Sequence, residues 1–384
     1  MTDLSAVLFF ACYRTFVTIP IHQVRQAAPA RGGSRQVIGR RASWLVRCVL
    51  IFAGLAVPAS HAGASTPTTS STTPTTRSST KAKKPTTRKR VSSRTRRAAA
   101  RRAQAARTLR EASTPKYRVD EITGALVPDL RADAAIIYDV KTGEVLWEQN
   151  AQDQRSIASI TKVMTAVVFL EGGPDLTQDV VIARDDTRGA STTFLRLNEQ
   201  VKFDDLLHLT LIPSDNAAAR ALARTYPGGM TAFVDRMNQK ALDLGLKNTH
   251  YADPSGLSSD NVSSAYDMAR LITYAASNDK IASIMRTAEY TFSTSRRSRI
   301  TVRNTNQLVR QGDVDVLGGK TGFIRKAGYC LATLLRLPEG GPEIAVVVLG
   351  ARSNVGRFWE TRHLFNWFAQ NTRSLFSTTI PQEE

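Results

Sequence analysis

Cysteine and histidine are scarce in this sequence of 384 residues, and their scarcity excludes several kinds of site. Two of the three cysteines lie within the first 50 residues, so only Cys330 remains in the later chain and no disulfide framework can form there. The three histidines of the later chain, His208, His250 and His363, follow neither HxH nor HExxH spacing. A metal site is therefore not expected.

Acidic residues are scarce in the first third of the chain. The net charge is +6 for residues 1–62 and +15 for residues 63–118, but −2 for residues 119–384. The strongly basic character thus belongs to the N-terminal third, and the rest of the chain is nearly neutral. Because a nucleic-acid-binding domain needs a basic surface, we expect no nucleic-acid partner for the folded part.

The apolar run near the N-terminus, residues 48–57, is short for a membrane span. It follows a basic segment, residues 40–47, and precedes Pro58–Ala62, which ends in small residues suited to cleavage after Ala62. This layout predicts a targeting region with a secretory signal peptide within residues 1–62. The protein is then exported to the periplasm or another extracytoplasmic part of the cell envelope. An uncleaved N-terminal anchor is the alternative.

Residues 63–115 have too few apolar side chains to bury a core. Residues 63–80 contain 13 Ser/Thr and 2 Pro, and residues 81–110 add 13 Lys/Arg without an acidic residue. We expect 63–115 to be a disordered linker whose end, residues 96–110, could become helical on an anionic partner, and 116–384 to be the catalytic domain. A solvated tether is the simpler interpretation, and attraction to anionic envelope polymers or a lipid surface is the alternative.

The order of the periodic segments predicts the fold class. Helical patterns begin with residues 159–170 and dominate to about residue 276, and a last helix is predicted over 358–368. Strand patterns lie on either side of the helices, at residues 134–140, 144–148, 300–303, 319–323, 330–335 and 344–349. Strands at both ends with helices between them predict one α+β domain whose sheet is completed by both chain ends.

Three short polar motifs follow one another along the predicted domain. They are Ser159-Ile-Thr-Lys162, Ser214-Asp-Asn216 and Lys320-Thr-Gly322. None is specific alone, because each has further copies in the chain, beginning at Ser78, Ser113 and Ser277 for the first motif, Ser259 for the second and Lys141 for the third. The local context must therefore choose among the copies.

Ser159 is the one Ser-x-x-Lys serine that opens a long amphipathic helix. The spacing of three residues places its hydroxyl and the Lys162 amine on one helix face. A serine needs a neighbouring base to act as a nucleophile, and burial can lower the pKa of a lysine enough for that role. The helix N-terminus adds N–H groups where an oxyanion would develop. A helix N-cap serine beside a surface lysine is the alternative.

Context also selects one copy of the other two motifs. Ser214 lies in a turn between two apolar helices, where it can project into a cleft or serve as a helix N-cap. The copies at Ser259 and Lys141 fit turn chemistry. Lys320-Thr-Gly322 instead lies in a predicted central strand, where small residues allow a substrate backbone to approach.

Together the three motifs resemble those of the penicilloyl serine transferases. Longer segments, Ser156–Ala166, Pro254–Ser263, Asn304–Asn306 and Gly319–Leu331, resemble the low-molecular-mass D-alanyl-D-alanine carboxypeptidases and endopeptidases of peptidase family S11. The resemblance implies a β-lactamase-like fold, with an antiparallel sheet and an inserted helical subdomain, and no cofactor. It implies peptidoglycan stem peptides as substrates and β-lactam antibiotics as covalent inhibitors.

The resemblance also implies a role for each motif residue. Ser159 forms an acyl-enzyme with a D-alanyl carbonyl, Lys162 takes its proton, and Ser214 relays a proton to the leaving amine. The backbone N–H groups of Ser159 and Phe323 form the oxyanion hole. Substrate binding is assigned to Asn216, Lys320, Thr321, Gly322 and Phe323.

Some alternatives stay open at this point. Ser-Asp-Asn is the β-lactamase form of the second motif, so a β-lactamase-like hydrolase is one alternative, and a wall-binding protein with a weakened active site is another. The only glutamate between Asn216 and Lys320 is Glu289, in a setting unlike that of a deacylating base. Arg357 could assist substrate carboxylate binding or be a surface arginine. The chain ends 62 residues after Gly322, so a C-terminal membrane anchor is not expected.

Overall fold

The computed structural model describes residues 93–377, which belong to one compact unit of the chain, Thr86–Glu384. The expected signal peptide, the Ser/Thr-rich part of the linker and the Ser78 motif copy lie outside the described residues. Residues 93–377 form mostly short helices and strands.

The helices of the described residues are α1 Ser93–Ser113, α2 Thr161–Glu171, α3 Arg184–Thr187, α4 Phe203–Leu211, α5 Asn216–Arg224, α6 Gly229–Asp243, α7 Ala265–Ala276, α8 Asp279–Arg286, α9 Gln307–Gln311 and α10 Asn354–Ser377. The strands are β1 Tyr117–Val119, β2 Leu126–Pro128, β3 Ala134–Asp139, β4 Val145–Gln149, β5 Arg155–Ser156, β6 Asp179–Val181, β7 Gln200–Lys202, β8 Val262–Ser263, β9 Glu289–Phe292, β10 Ile300–Arg303, β11 Asp315–Ile324, β12 Gly328–Arg336 and β13 Glu343–Ala351.

The central sheet has five strands in the order β11-β12-β13-β3-β4, and every neighbouring pair is antiparallel. Lys320 of β11 lies opposite Ala332 of β12, and Val347 of β13 lies opposite Ile136 of β3. The strands β3 and β4 precede the helical region in sequence, and β11–β13 follow it. The prediction of an α+β domain with a sheet from both chain ends is confirmed.

Helices cover both faces of this sheet. α7 packs against β3, β12 and β13, whereas α10 packs against β12 and β13 from the other side. Successive side chains of a strand point to opposite faces, so Ile136 joins the core shared with α7 and Ile137 joins the core shared with α10. This burial on both faces explains the continuous apolar run in β3.

The buried helix α2 positions the first motif. It packs among α4, α5, α6 and α7, and its residues from Thr161 to Phe169 are all buried. A helix that is apolar on all sides belongs in the interior of a domain. The turn before α2, Ala158–Ile160, contacts β11, the strand of the third motif.

Two expectations from the sequence differ from the structure. The segment Ser93–Ser113 is helical, although we expected a disordered linker there, because its Ala and Arg residues favour helix and its end packs on α10. The Arg107–Glu111 ion pair, at 2.8 Å, adds local support. The strand β10 pairs with β9 in a separate ribbon and not with the central sheet.

Among residues 93–377, no helix combines the length and the apolar composition that a bilayer-spanning segment requires.

Candidate active site

Ser159 lies in a tight 3-10 turn, Ala158–Ile160, immediately before α2 and not within it. Ala158 has a φ of +49°, a conformation that few non-glycine residues adopt. Its carbonyl accepts a hydrogen bond from the Thr161 hydroxyl at 2.8 Å, which holds the turn. The turn directs Ser159 into a surface pocket at the N-terminus of a buried helix.

Two glycines let other segments approach this turn closely. A Cβ on Gly256, which has a φ of +78°, would lie 2.1 Å from the Ala158 carbonyl oxygen. A Cβ on Gly322 would lie 2.6 Å from the Ile157 carbonyl oxygen. Both separations are far below van der Waals contact, so the loop around Gly256 and the strand β11 can reach Ser159 only because these positions lack side chains.

The Lys162 ammonium reaches three oxygen atoms. Its Nζ lies 3.0 Å from Ser159 Oγ and 2.6 Å from the Asn216 Oδ1 atom, and it also donates to the Ser255 carbonyl. Lys162 is fully buried, as expected for a lysine whose charge is used inside the protein. The first two motifs therefore meet at one nitrogen atom.

Burial lowers the pKa of Lys162 to about 7, because a buried ammonium loses its hydration. The carboxylates of Asp253 and Asp215 oppose this shift by favouring the charged form, and Arg220 lowers the pKa further. A lysine in this range is partly neutral at neutral pH, so it can accept a proton from a hydroxyl.

The orientation of the Asn216 amide is fixed from its other end. Its Nδ2 donates to the Ala190 carbonyl at 2.7 Å, so Oδ1 faces Lys162. The preceding Asp215 caps α5 by accepting from the Ala218 N–H at 3.0 Å. The helix N-cap role that the sequence left open for Ser214 therefore belongs to Asp215.

Ser214 lies in the turn between α4 and α5 with a φ of +65°. It is half-buried and lines the same pocket as Ser159. A non-glycine residue in this conformation costs free energy, and such residues are concentrated at functional sites.

The third motif contributes Thr321 more directly than Lys320. The Thr321 hydroxyl lies 2.6 Å from the Thr305 hydroxyl, and both residues line the pocket. Lys320 is buried, donates to the Thr321 carbonyl at 2.9 Å and is not among the described residues that line the pocket. Burial and the charges of Lys162 and Arg357 hold the pKa of Lys320 well below its ordinary value.

Arg357 of α10 is a buried residue at the pocket, so the surface interpretation is wrong. One guanidinium nitrogen donates to the Gly322 carbonyl at 2.9 Å and to the Cys330 carbonyl at 3.2 Å. Burial lowers its pKa to about 10, so it stays charged at neutral pH. It supplies positive charge beside Gly322 and Thr321. Cys330 itself is buried in the core, as predicted.

The pocket has a volume of about 270 Å³ and brings residues of all three motifs together. None of the described residues that line it is acidic. Glu289 lies elsewhere, on β9, where it is half-exposed and pairs with Arg303 at 2.7 Å. Phe323 is 51% exposed and stacks on Tyr329 with ring centroids 4.3 Å apart. The described lining residues are Ser159, Ser191, Thr192, Pro213, Ser214, Asn216, Leu257, Thr305, Thr321, Gly322, Phe323 and Arg357.

Comparison with known families fits this geometry. Residues 121–353, more than half of the chain, match the D-alanyl-D-alanine carboxypeptidase family, peptidase S11. The chain belongs to this family. It is therefore a hydrolase of the serine D,D-peptidase class, as the motifs predicted.

This chain matches individual relatives over most of their length. The D-alanyl-D-alanine endopeptidase of Pseudomonas aeruginosa is 37% identical over 63% of this chain and 78% of the relative. The Escherichia coli D-alanyl-D-alanine endopeptidase is 34% identical over 64% and 79%. The crystal structure of the Streptomyces K15 DD-transpeptidase covers 62% of this chain and 97% of its own, with 28% identity and a TM-score of 0.59.

The further motif copies within residues 93–377 of this S11 chain are not among the residues that line the pocket. Ser113 ends α1, and Ser277 follows the last residue of α7. Ser259 lies in a turn beside Asp260, and Lys141 lies in the turn between β3 and β4. The local context thus separated the copies that share one pocket from those that do not.

Two residues at the centre of the site were not predicted individually. Ser255 contributes only its backbone carbonyl, and Thr305 only a hydroxyl whose partner is Thr321. Both lie in segments that resemble the S11 family, residues 254–263 and 304–306. Within the Ser255 loop, Asp253 accepts from the N–H groups of Ser255, Gly256 and Ser258, which fixes the loop against Lys162.

Proposed function

We propose that this S11 peptidase hydrolyses D-alanyl peptide bonds of peptidoglycan stem peptides through an acyl-enzyme on Ser159. The observation that carries the proposal is the set of oxygen atoms around Lys162 Nζ. One of them is the hydroxyl of Ser159, and the other two, an amide oxygen and a carbonyl, can only accept hydrogen bonds.

This arrangement prepares Lys162 to act as a general base. A neutral amine has two N–H groups and one lone pair. Asn216 and Ser255 accept the two N–H groups, so the lone pair is left for the Ser159 O–H. In acylation, the Ser159 proton moves to Nζ while Oγ bonds to the substrate carbonyl carbon. The resulting ammonium has three N–H groups for the same three acceptors.

The remaining proton transfers close the cycle. When the C–N bond breaks, the leaving amine takes a proton that passes from Lys162 through Ser214, which lines the same pocket. A water molecule then attacks the acyl carbon and gives a proton to Lys162. As the ester bond breaks, that proton returns to Ser159 Oγ. The cycle restores both residues to their starting states.

Binding of the substrate carboxylate is assigned to a second group of residues. Arg357 and Thr321 line the pocket and are proposed to hold the substrate carboxylate, with Thr305 orienting the Thr321 hydroxyl. Lys320 is a positioning residue that acts through Thr321, since it bonds the Thr321 carbonyl. Ser159, Asn216 and Phe323 also line the pocket. The N–H groups of Ser159 and Phe323 are proposed as the oxyanion hole, and Asn216 is proposed to contact the substrate amide.

β-Lactam antibiotics should acylate Ser159 by the same step and remain bound. Class A β-lactamases deacylate with a glutamate near the ester, and no acidic residue occurs among the described pocket residues. This observation favours a D,D-peptidase over a β-lactamase-like hydrolase. The fully buried and hydrogen-bonded Lys162 also disfavours a wall-binding protein with a weakened site.

We further propose that cross-links are the preferred substrate, on the similarity to D,D-endopeptidases. Purified sacculi should be digested with the wild-type chain and with Ser159→Ala, and the released muropeptides identified by mass. Conversion of dimeric to monomeric muropeptides by the wild type alone is expected. Loss of terminal D-alanine without loss of dimers would contradict the choice of bond, and no change would contradict the function itself.

Peptidoglycan lies outside the cytoplasmic membrane, so the enzyme acts in the extracytoplasmic envelope. The signal peptide within residues 1–62 and the linker character of residues 63–92 are part of the proposal. Export is expected to remove the chain through about Ala62. The intact mass of the protein extracted from the envelope tests this, and a mature form that retains Cys48 would contradict it.

A further inference from the structure

Exposed apolar side chains are concentrated in one short stretch of this chain. Twelve large apolar side chains are exposed among the described residues, and five of them lie between residues 109 and 126. Ile122 is 95% exposed, Leu126 64% and Val119 61%. Single exposed apolar residues are ordinary, whereas a contiguous group marks an interaction surface.

The ribbon formed by β1 and β2 presents these side chains on one face. Val119 lies directly opposite Leu126, and Tyr117 shares the face because it is two residues before Val119. Ile122 lies in the turn that joins the two strands. The next residue of β2, Val127, is buried with the core around α10, so the opposite face of β2 is packed against the domain.

A dense group of cations immediately precedes this ribbon in the sequence and continues into β1. The helix α1 ends only three residues before β1, and the net charge of residues 93–118 is +8. Arg107 is paired with Glu111, while Lys116 and Arg118 flank Tyr117. The exposed arginines of α1 are Arg96, Arg97, Arg101, Arg102, Arg107 and Arg110.

We propose that α1 and the β1–β2 ribbon, residues 93–128, dock the enzyme on an anionic lipid surface. Arginines at the headgroup level and apolar side chains below it are the combination that such a surface accepts. An anionic polymer would engage the charges but leave the apolar face in water. A second copy would bring two surfaces of charge +8 together. The inference goes beyond the proposed peptidase function.

A probe at the tip of the ribbon tests the docking directly. An environment-sensitive fluorophore is attached to Ile122→Cys in the full chain, with Cys12→Ser and Cys48→Ser to remove other labelling sites and the buried Cys330 retained. Leu242→Cys, at a position on α6 that is 70% exposed, is the matched control. Vesicles of phosphatidylcholine with and without phosphatidylglycerol are added.

Emission at position 122 is expected to shift to the blue with phosphatidylglycerol vesicles and to be quenched by brominated acyl chains. The probe at position 242 is expected to show neither effect. Each Lys or Arg near an anionic surface strengthens binding by roughly fivefold at low salt. The triple variant Arg101→Gln, Arg102→Gln and Arg110→Gln should therefore lower the vesicle affinity measured with the probe at position 122 by about 100-fold at low salt. The loss of affinity should be smaller at higher salt, because salt screens the charges.

A charge-matched control separates the local effect from net charge. Arg286, Arg299 and Arg325 are exposed arginines outside α1 and the ribbon, and their replacement by Gln should leave the titration nearly unchanged. Equal weakening by both triple variants would overturn the proposal. An unchanged spectrum at 122 with anionic vesicles would overturn it even if the chain sediments with them.

Other occupants of the surface give distinct results. An emission shift of the probe at position 122 with purified sacculi but not with vesicles would indicate that the surface binds a wall polymer and not lipid. An emission shift that grows with protein concentration in the absence of vesicles would indicate that the surface binds a second copy of the chain. Either result overturns the proposal and leaves the peptidase function untouched.

Discussion

The chemistry of this site depends on what surrounds a single amine. Lys162 is fully buried and has three oxygen acceptors within reach, two of which cannot donate a proton. Burial makes the neutral amine accessible near neutral pH, and the fixed Asn216 and Ser255 acceptors orient it. In the proposed mechanism, position and desolvation of Lys162 together activate the Ser159 hydroxyl.

The pH dependence of acylation follows from this amine. Burial lowers the pKa of Lys162 to about 7, and only the neutral amine can take the Ser159 proton. The rate constant for acylation by a penicillin should therefore fall about tenfold per pH unit below that pKa and level off above it. Stopped-flow acylation rates over a pH series would measure this, with circular dichroism as a control for folding. A midpoint near the ordinary lysine value would contradict the assignment.

At the scale of elements, the site depends on close backbone approach between three segments. The turn before α2, the loop after Asp253 and the strand β11 converge where Gly256 and Gly322 have no side chains. Such contacts tolerate no added atom, because backbone cannot move aside as a flexible side chain can.

A comparison of Gly256→Ala with Gly312→Ala tests whether the close approach of the Gly256 loop positions the Ser159 turn. Gly312 has a similar positive φ of +66° but nothing within 4 Å of an added Cβ. Both alanine variants should lose roughly 1 kcal/mol from backbone strain. Only Gly256→Ala should also displace the Ser159 turn, with a loss of penicillin acylation that we expect to reach about 100-fold.

Denaturant unfolding and acylation rates of the two variants separate these effects. Equal activity in Gly256→Ala and Gly312→Ala would show that the close contact does not position Ser159.

The helix α10 carries a buried carboxyl that makes stability depend on pH. Glu360 accepts from the Ala132 N–H at 3.0 Å, and burial raises its pKa to about 7 from an ordinary value of 4.5. Between these values the unfolded chain ionises while the folded chain keeps its proton, so stability falls as pH rises, by at most about 1.4 kcal/mol per unit.

Glu360→Gln keeps an acceptor oxygen but cannot ionise. It should match the wild type near pH 4 and be more stable by about 2–3 kcal/mol near pH 8. Urea unfolding at the two pH values measures this. The same difference at both would show that the carboxyl is not the group that titrates.

Much of the fold could be predicted from periodicity, but contacts between distant segments could not. The strand predicted at residues 300–303 occurs with those bounds as β10, yet its partner β9 was not anticipated. The helix α1 has no apolar stripe that predicts packing, yet it packs on α10. Periodicity indicates which face of a segment is apolar, but it does not indicate which other segment packs on that face.

For the site too, local features could be predicted from the sequence and contacts between distant segments could not. Motif context selected Ser159 and Ser214, which line one pocket, and Lys162, whose Nζ lies 3.0 Å from Ser159 Oγ. The catalytic roles of the three residues stay a prediction. The burial of Arg357 could not be predicted, since a single arginine carries no periodic signal. Ser255 acts through its backbone carbonyl, which every residue type possesses, so its identity gave no clue.

For the whole molecule, the residues of the candidate site and most of the positive charge lie in different parts of the chain. The pocket residues lie between Ser159 and Arg357, while most of the positive charge lies before residue 119, so we expect the two parts to be separable. Deleting residues 63–92 should leave turnover of a soluble D-Ala-D-Ala peptide unchanged. Extending the deletion through Ser113 removes α1, which packs on α10, and should lower the melting temperature.

Steady-state turnover and thermal unfolding of the two deletions test this organisation. Loss of turnover on deletion of residues 63–92 would mean that the linker belongs to the folded enzyme. No change in melting temperature on the longer deletion would mean that α1 contributes nothing to the domain.

The most direct test of the account is to locate the acyl group left by a penicillin. The full chain is incubated with the antibiotic, digested after Arg155 and Lys162, and mapped by mass spectrometry. The penicilloyl mass is expected on the peptide Ser156–Lys162 of the wild type and to be absent from the Ser159→Ala variant, which retains Ser156. An adduct that persists in Ser159→Ala, or that lies on a peptide containing Ser78, Ser113 or Ser277, would contradict the claim that Ser159 is the nucleophile.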